Sequence, residues 1–554
     1  MKWKVEVCWR TNRGQGLSPV DSCEGIGNQH YFYVTNVFNL FGTVATSIFF
    51  LGVLVSNSIL GGLLAVASFF FNHGEATRVQ WTPSLRESFG YPIFILQILL
   101  ITFVLRNNLH GFRWWLLISY LTSLFMLFWQ FAGFALSTQV GSLFAVFILD
   151  FVPLNTMMTI LRGHMAGFLL GFCLLFGNEM LLTSLHFSST VTFLFILYLD
   201  PLLRRIEFRP FYLLLTSAIF VTGCLSLRVL IGRSLHIEDD AHIFDILRSK
   251  FSDFANFHTR LYTCAREFDF LGMDTVSVLM KTLLLPAAIF ASFSFLIYIF
   301  RTEVPTLLWR NLERSKPYPE IMYNLIQLVC FGLMAGLIMR LKLFLTPHLC
   351  IITALLANRK LMNVSFGFSI PLWIQRTFLF ALLATMAFDG FSNIKKQRNI
   401  QGEYSNIDQE KLFEWIMRNT PADAVFAGTM PVMANVKLTT NRPIVNHPHY
   451  EDVGLRARTL TVYSLFSKKP LEEVYSSLKK MGIQYYVYQQ AWCSQNNPKP
   501  ECTYRSMWDL QDPANVRRES LCDIIQNAVI TNNETLISPI KIVYNAYNYV
   551  VFKF

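Results

Sequence analysis

The chain has 554 residues, of which 53% are hydrophobic and 15% charged, with 51 Phe. Soluble proteins average about 25% charged residues, so most of this chain cannot face water, and disorder, fibrous repeats and a secreted disulfide scaffold are excluded. The formal charge of +11 implies no nucleic-acid partner, because Lys and Arg collect in the short cytoplasmic loops of membrane proteins and no RNP motif, zinc finger or basic helix is present.

The composition predicts a polytopic α-helical membrane protein. Residues 1–34 contain no apolar stretch of signal-peptide length. Apolar runs approaching the roughly 20 residues of a span then recur at 35–56, 58–72, 91–105, 114–133, 134–152, 165–182, 190–203, 211–232, 283–300, 321–340, 345–358 and 367–389. That predicts a membrane domain over 35–390 with about 11–12 spans. The 345–358 run, which holds Pro347 and His348, is expected as a re-entrant or broken helix. The short basic loops 106–113 and 204–209 are expected on the cytoplasmic side, together with 301–320 and the Arg359–Lys360 pair. Residues 1–34, the loops 73–90 and 233–282, and everything after 390 then fall on the lumenal side. Nothing ahead of residue 35 can carry 1–34 across. Either the first span inserts with its N-terminus translocated, or a helix precedes this chain.

From Phe391 onward the charged fraction rises from about one residue in eight to about one in five, which predicts a soluble domain over 391–554. Within it, 408–418 reads as an amphipathic helix after Asn406, Ala424–Ala427 as a strand, 470–481 as a helix and 483–488 as a strand. This is a small α/β domain. The ten Cys include no CxxC pair and no metal-ligand spacing, so no metal is expected. Cys173, Cys224 and Cys330 lie in apolar runs and read as packing residues. Cys493 and Cys502 are candidates for a disulfide closing a small lumenal loop, with Cys522 left over or paired elsewhere. Asn533-Glu534-Thr535 is a glycosylation sequon compatible with a lumenal address.

Charges at a membrane face are costly and mark sites. Residues 70–92 hold His73, Glu75, Arg78, Arg86 and Glu87 between two apolar runs. Arg suits bidentate phosphate binding; alternatively, Glu75–Arg78 and Arg86–Glu87 are local ion pairs on an interfacial helix. Asp239, Asp240 and His242 open the long loop, either as general-base or metal groups or as helix N-caps. His447 and His449, beside Glu451 and Asp452, have the H-x-H form of a zinc ligand pair. With no third ligand at a usual spacing, a hydrogen-bonded turn is expected there.

GQGLSPVDSCEG, FFNHGEATRVQWTPSLRESFGYP, EDDAHIFDILRSKF, LYTCAREFDF, MRLKLFLTPHLC and RPIVNHPHYEDVGLRAR together are very similar to the dumpy-nineteen-like family of protein C-mannosyltransferases. The resemblance runs over essentially the whole chain in the same order. It implies the GT-C-type glycosyltransferase fold with a C-terminal lumenal α/β domain that closes over the acceptor, in the membrane of the endoplasmic reticulum or the inner nuclear membrane. It also implies transfer of mannose from dolichyl phosphate mannose, a lipid substrate with no further cofactor, to Trp in WxxW segments of lumenal and secretory proteins. On that reading His73, Arg78 and Arg86 bind the donor phosphate, His242 lines the same crevice, and Glu75, Asp239 and Asp240 are the candidate catalytic carboxylates. Family members carry a cytoplasmic segment, a helix and a lumenal loop ahead of the position aligned with Met1, and that loop supplies the catalytic base. Residues 1–34 are then the remnant of the first-loop region. The chain resembles the product of a shortened or degraded gene copy, or a splice form, and is expected to be impaired in transfer. The alternative is a non-catalytic membrane scaffold or anchor. A transporter is disfavoured because no internal repeat is present.

Overall fold

The computed structural model describes residues 6–12, 19–80, 82–83, 85–235, 242–252, 254–304, 308–310, 315–399, 406–448, 452–493, 499–546 and 548–554. The chain divides into two compact units, Met1–Ile237 with Phe270–Ile400, and Glu238–Asp269 with Gln401–Phe554.

The first unit opens with a hairpin of β1 (Val7–Thr11) and β2 (Val20–Glu24), crosslinked by Cys8–Cys23. Its helices then run α1 (Gln29–Ser56), α2 (Ile59–Phe71), a single turn α3 (His73–Ala76), α4 (Glu87–Arg106), α5 (Phe112–Phe128) and α6 (Ala132–Ile148). There follow α7 (Leu154–Leu174), the turn α8 (Glu179–Leu182), α9 (Leu185–Leu203) and α10 (Arg209–Ser234). Helices α11 (His242–Phe251) and α12 (Phe257–Thr263) belong to the second unit. The first unit resumes with α13 (Met273–Lys281), α14 (Leu284–Glu303), α15 (Pro319–Leu337), α16 (Lys342–Thr353), α17 (Arg359–Phe366) and α18 (Leu372–Arg398).

Each of the twelve expected runs falls on one of these helices. Among the described residues nine are long and apolar enough to cross a membrane, and the chain is a multi-pass membrane protein. The runs at α2, α5 and α6 give helices of 13, 17 and 17 residues, short of the roughly 20 that a full span takes. The 165–182 run is displaced: its helix is Leu154–Leu174, because Pro153 supplies the N-cap and Thr156 and Met157 are buried despite the polar start. The 345–358 run is indeed irregular, with α16 flanked by 3-10 turns at Met339–Leu341 and Ala354–Ala357. The boundary expected at 390 falls inside α18, and the loop 233–282 is divided, since 238–269 joins the second unit.

Two packing features shape the first unit. Gly163, Gly167 and Gly171 form a stripe on α7 against α5, and a Cβ at Gly167 would lie 2.6 Å from Thr122 Cβ and 2.7 Å from the Ser119 carbonyl oxygen. Small residues at this spacing let membrane helices approach closely where burial from water supplies no driving force. Helix α16 lies at the centre. Its Phe344 ring stacks with Trp129 at 5.8 Å and Phe331 at 5.1 Å, and meets Tyr91 edge-on at 5.6 Å. At one end of the unit, the loop after α9 meets the segment before α15. Arg209 and Arg310 lie 2.9 and 2.7 Å from the two oxygens of Asp150, and Phe208 bridges Trp309 through the backbone.

The second unit is built on a four-stranded sheet of order β3-β4-β6-β5, with β3 (Phe426–Gly428) parallel to β4 (Tyr485–Gln489) and the pairs to β5 (Lys541–Ala546) and β6 (Tyr549–Lys553) antiparallel. Alternation along the strands separates two cores, because successive side chains point to opposite faces. Tyr486, Tyr488, Val550 and Phe552 pack with α12 and with α21 (Val453–Tyr463), α22 (Leu471–Lys480), α23 (Tyr504–Gln511) and α24 (Leu521–Thr531). Tyr485, Val487 and Val551 face α19 (Ile407–Asn419) and α20 (Met430–Thr440). The expected helices and strands of this domain are all present, and the Asn406 side chain caps α19 by accepting from Gln409 N.

The disulfide pairing differs from the expectation. Cys493 joins Cys522 and Cys502 joins Cys264, rather than Cys493 joining Cys502. The reason is the placement of α12: Phe257 is fully buried beside Trp508 and Tyr463, which brings Cys264 to the start of α23. Of the expected packing cysteines, Cys224 is buried, Cys330 is half-buried and Cys173 is exposed.

Candidate functional site

The polar linker between α2 and α4 doubles back at the end of the first unit where α13 and α16 begin or end. Asn72 closes α2, and its side-chain oxygen accepts from the Thr282 hydroxyl at 2.7 Å. This pins the end of α2 to the end of α13. The next turn, α3, presents Glu75. Lys342 Nζ donates to Glu75 Oε2 at 2.7 Å, and the Thr275 hydroxyl donates to the same oxygen at 2.9 Å. The Thr346 hydroxyl donates to the Glu75 carbonyl at 3.2 Å. Two elements distant in sequence, α13 and α16, thus converge on one carboxylate.

Glu87, the first residue of α4, is the second anchor. Arg340 donates to Glu87 Oε2 at 3.1 Å, and Arg78 Nε lies 3.7 Å from Oε1. The Glu87 side chain is 6% exposed, whereas Arg78 and Arg340 are 29% and 30% exposed. The carboxylate is therefore consumed in holding two guanidinium groups that retain access to solvent. Arg86 donates to Gln130 at 2.6 Å. The local pairs Glu75–Arg78 and Arg86–Glu87 are replaced by these longer-range partners, because the linker is coiled back on itself rather than laid out as one interfacial helix.

His73 packs edge-on against Phe69, and neither of its buried ring nitrogens has a hydrogen-bond partner among the described residues. Burial lowers its pKa below the ordinary value, so the ring is neutral at pH 7 with one N–H to donate. Among the described residues Arg78, Arg340 and Lys342 gather on the two carboxylates Glu75 and Glu87, with Arg86 next to Glu87 in sequence, and guanidinium and ammonium groups that keep access to solvent can take up an anion.

The structure thus places Glu75 in an ion pair with Lys342 and Arg78 in one with Glu87, while His73 packs on Phe69 and Arg86 binds Gln130. Asp239 and Asp240 lie outside the described residues, as do His449, Glu451 and the side chain of His242. Asn533 is exposed at a turn in which its side-chain oxygen accepts from Thr535 N at 3.1 Å. Four residues bound to Glu75 or Glu87 were not singled out from the sequence: Thr275, Thr346, Arg340 and Lys342. The last two stand in MRLKLFLTPHLC, and cations in an apolar run were the available signal.

The profile of the Dpy19 family, described as Q-cell neuroblast polarisation, matches residues 5–554. The chain is 54% identical over 552 residues to the C-mannosyltransferase dpy-19 of Caenorhabditis elegans, covering 100% of this chain and 80% of that protein. It is 43% identical over 532 residues to the human protein C-mannosyl-transferase DPY19L1, covering 94% and 77%. Among solved structures, the archaeal oligosaccharyltransferase AglB of Archaeoglobus fulgidus, in complex with an inhibitory peptide and a dolichol-phosphate, superposes with a TM-score of 0.52 at 12% identity. The match covers 85% of this chain and 59% of that one, a likeness in fold. The helical GT-C-type membrane fold, the small C-terminal sheet and the match along the whole sequence agree: this chain belongs to the Dpy19 family, whose named relatives are C-mannosyltransferases.

Proposed function

We propose that this chain acts in protein C-mannosylation, with dolichyl phosphate mannose as donor and Trp of WxxW segments in lumenal and secretory proteins as acceptor. The observation that carries the reading is the cation cluster on Glu75 and Glu87 at one end of the membrane unit. In the reaction an indole carbon attacks the anomeric carbon of mannose, the bond from that carbon to the phosphate oxygen breaks, and dolichyl phosphate leaves with the bonding pair. The indole carbon then loses its proton to a carboxylate. The leaving phosphate is the group whose charge grows, and preorganised cations are most effective there. Arg78, Arg340 and Lys342 supply them, with Arg86 beside them and the neutral His73 N–H as a further donor. Glu75 and Glu87 position the cations. For the proton acceptor, the candidates of this chain are Glu75, Asp239 and Asp240. Three disulfides support an oxidising address, which we read as the lumen of the endoplasmic reticulum or nuclear envelope; glycosylation of Asn533 would mark that side.

The test expresses the chain, and the chain extended by the portion of the C. elegans relative outside the match, in cells lacking C-mannosylation. Mass spectrometry reads hexose on the Trp of a WxxW reporter. The expected result is hexose addition by the extended form that falls at least 100-fold in Arg78→Ala, on the order of removing one transition-state donor, at unchanged folded amount. Full activity in Arg78→Ala and Lys342→Ala would remove the phosphate role. No hexose from either form would favour a membrane scaffold.

A further inference from the structure

The opposite end of the first unit carries a second site. A cavity of about 790 Å³ opens between the turn joining α1 to α2, the start of α17 and the start of α18. Its volume is within the range of ligand pockets, about 300–1,000 Å³. Arg359, Lys360 and Arg376 line it, and no carboxylate does among the described residues. All three cations are exposed, and none makes an ion pair or side-chain hydrogen bond with the described residues. The floor is polar and built: Asn358 and Gln375 are buried, with Asn358 donating to the Val55 carbonyl and Gln375 to the Leu356 carbonyl. The first residues of α2, α17 and α18 also face the cavity, and the partial positive charge of helix starts adds to that of the side chains. Of the exposed apolar side chains on the adjoining helices, Ile59 lines the cavity, while Leu63 on α2 and Trp373, Ile374 and Phe378 on α18 lie outside its lining.

From this combination we propose that the cavity binds the phosphate-bearing headgroup of an anionic membrane lipid, whose acyl chains run along the exposed faces of α2 and α18. Three cations with no acidic partner select an anion, and Arg359 and Arg376 can each hold phosphate oxygens in bidentate fashion. Because the cavity opens at the starts of α2 and α18, a lipid headgroup can occupy it while its chains stay beside these apolar helices in the bilayer, an arrangement a soluble phosphate does not share. Basic pockets between membrane helices are a recurring form of lipid headgroup site. The site lies at the other end of the unit from Glu75, so the donor reading neither requires it nor depends on it.

The full chain in phosphatidylcholine nanodiscs is titrated with phosphatidylinositol 4-phosphate, and separately with the soluble inositol phosphate headgroup. The lipid is expected to bind in preference to phosphatidylcholine, and the free headgroup at least tenfold more weakly than the lipid. Arg359→Gln with Arg376→Gln should weaken lipid binding about fivefold per cation. The pair Arg359→Lys and Arg376→Lys should retain most of it, which separates lost charge from lost folding. Arg113→Gln with Arg205→Gln removes two exposed cations from the same end and should leave binding unchanged. Equal weakening in that control would reduce the effect to diffuse surface charge, and would overturn the proposal. So would equal affinity for lipid and free headgroup, or no preference over phosphatidylcholine.

Discussion

Glu75 and Lys342 are 267 positions apart in the chain and 2.7 Å apart in space. The pair joins the linker between α2 and α4 to the start of the central helix α16, and the Thr275 hydroxyl fixes the same carboxylate from a third element. Its partners are mostly buried, 18% and 20% exposed at the side chain, so removing one of them leaves a charge poorly solvated.

Lys342→Met and Glu75→Gln should each lower stability by about 1–3 kcal/mol, the cost of an unsatisfied buried polar group. The double variant should recover part of the loss, because neither charge is then left alone. A double-mutant cycle on thermal unfolding in detergent measures the coupling. Additive losses would show that the pair has no energetic connection.

Gly167→Leu should reduce the yield of folded protein more than Gly232→Leu. At Gly167 a Cβ meets Thr122 and the Ser119 carbonyl below 3.0 Å, whereas at Gly232 it meets nothing within 4 Å. Overpacking of this kind typically costs about 1–3 kcal/mol, and here α5 and α7 must separate to relieve it. Size-exclusion profiles of the two variants decide the matter.

Peptide mapping without reduction should recover Cys264–Cys502 and Cys493–Cys522 as the crosslinked pairs. Cys264→Ser should destabilise the second unit by about 2–5 kcal/mol, as loss of a native disulfide commonly does. The expected route is release of α12 from the core that holds Phe257. Protease should then cut first within 254–269. A crosslink between Cys493 and Cys502 would contradict the assignment.

Acid should weaken the second unit through His258, whose pKa is lowered to about 4 by burial and by the adjacent Arg456. An unfolded His titrates near 6.5, so the folded state binds fewer protons between the two values. The stability present above pH 6.5 is therefore lost as the pH falls from about 6.5 toward 4. A His258→Gln variant should show a flatter dependence of melting temperature on pH over that window. An identical slope would assign the acid sensitivity to other groups.

The membrane class, the twelve apolar runs, the α/β character of the C-terminal part and the polar character of the 70–92 linker were all legible in sequence. Each rests on composition or on a local period: a helix that must bury its backbone polar groups in lipid is written as one continuous apolar run, and strands such as Tyr485–Gln489 by alternation. Even Arg78 and His73 could be singled out, since charges beside spans are rare and costly. What local pattern could not supply was partnership. Glu75 stands three residues from Arg78, yet the nearest partners of its carboxylate are Lys342 and Thr275, because the linker turns back under α13 and α16. Cys502 stands nine residues from Cys493 but bonds to Cys264, 238 positions away, because the aromatic side chain of Phe257 draws α12 into the second core. The site therefore depends on helix ends that meet only after the bundle packs, and side-chain pairing across such distances is decided by tertiary structure alone.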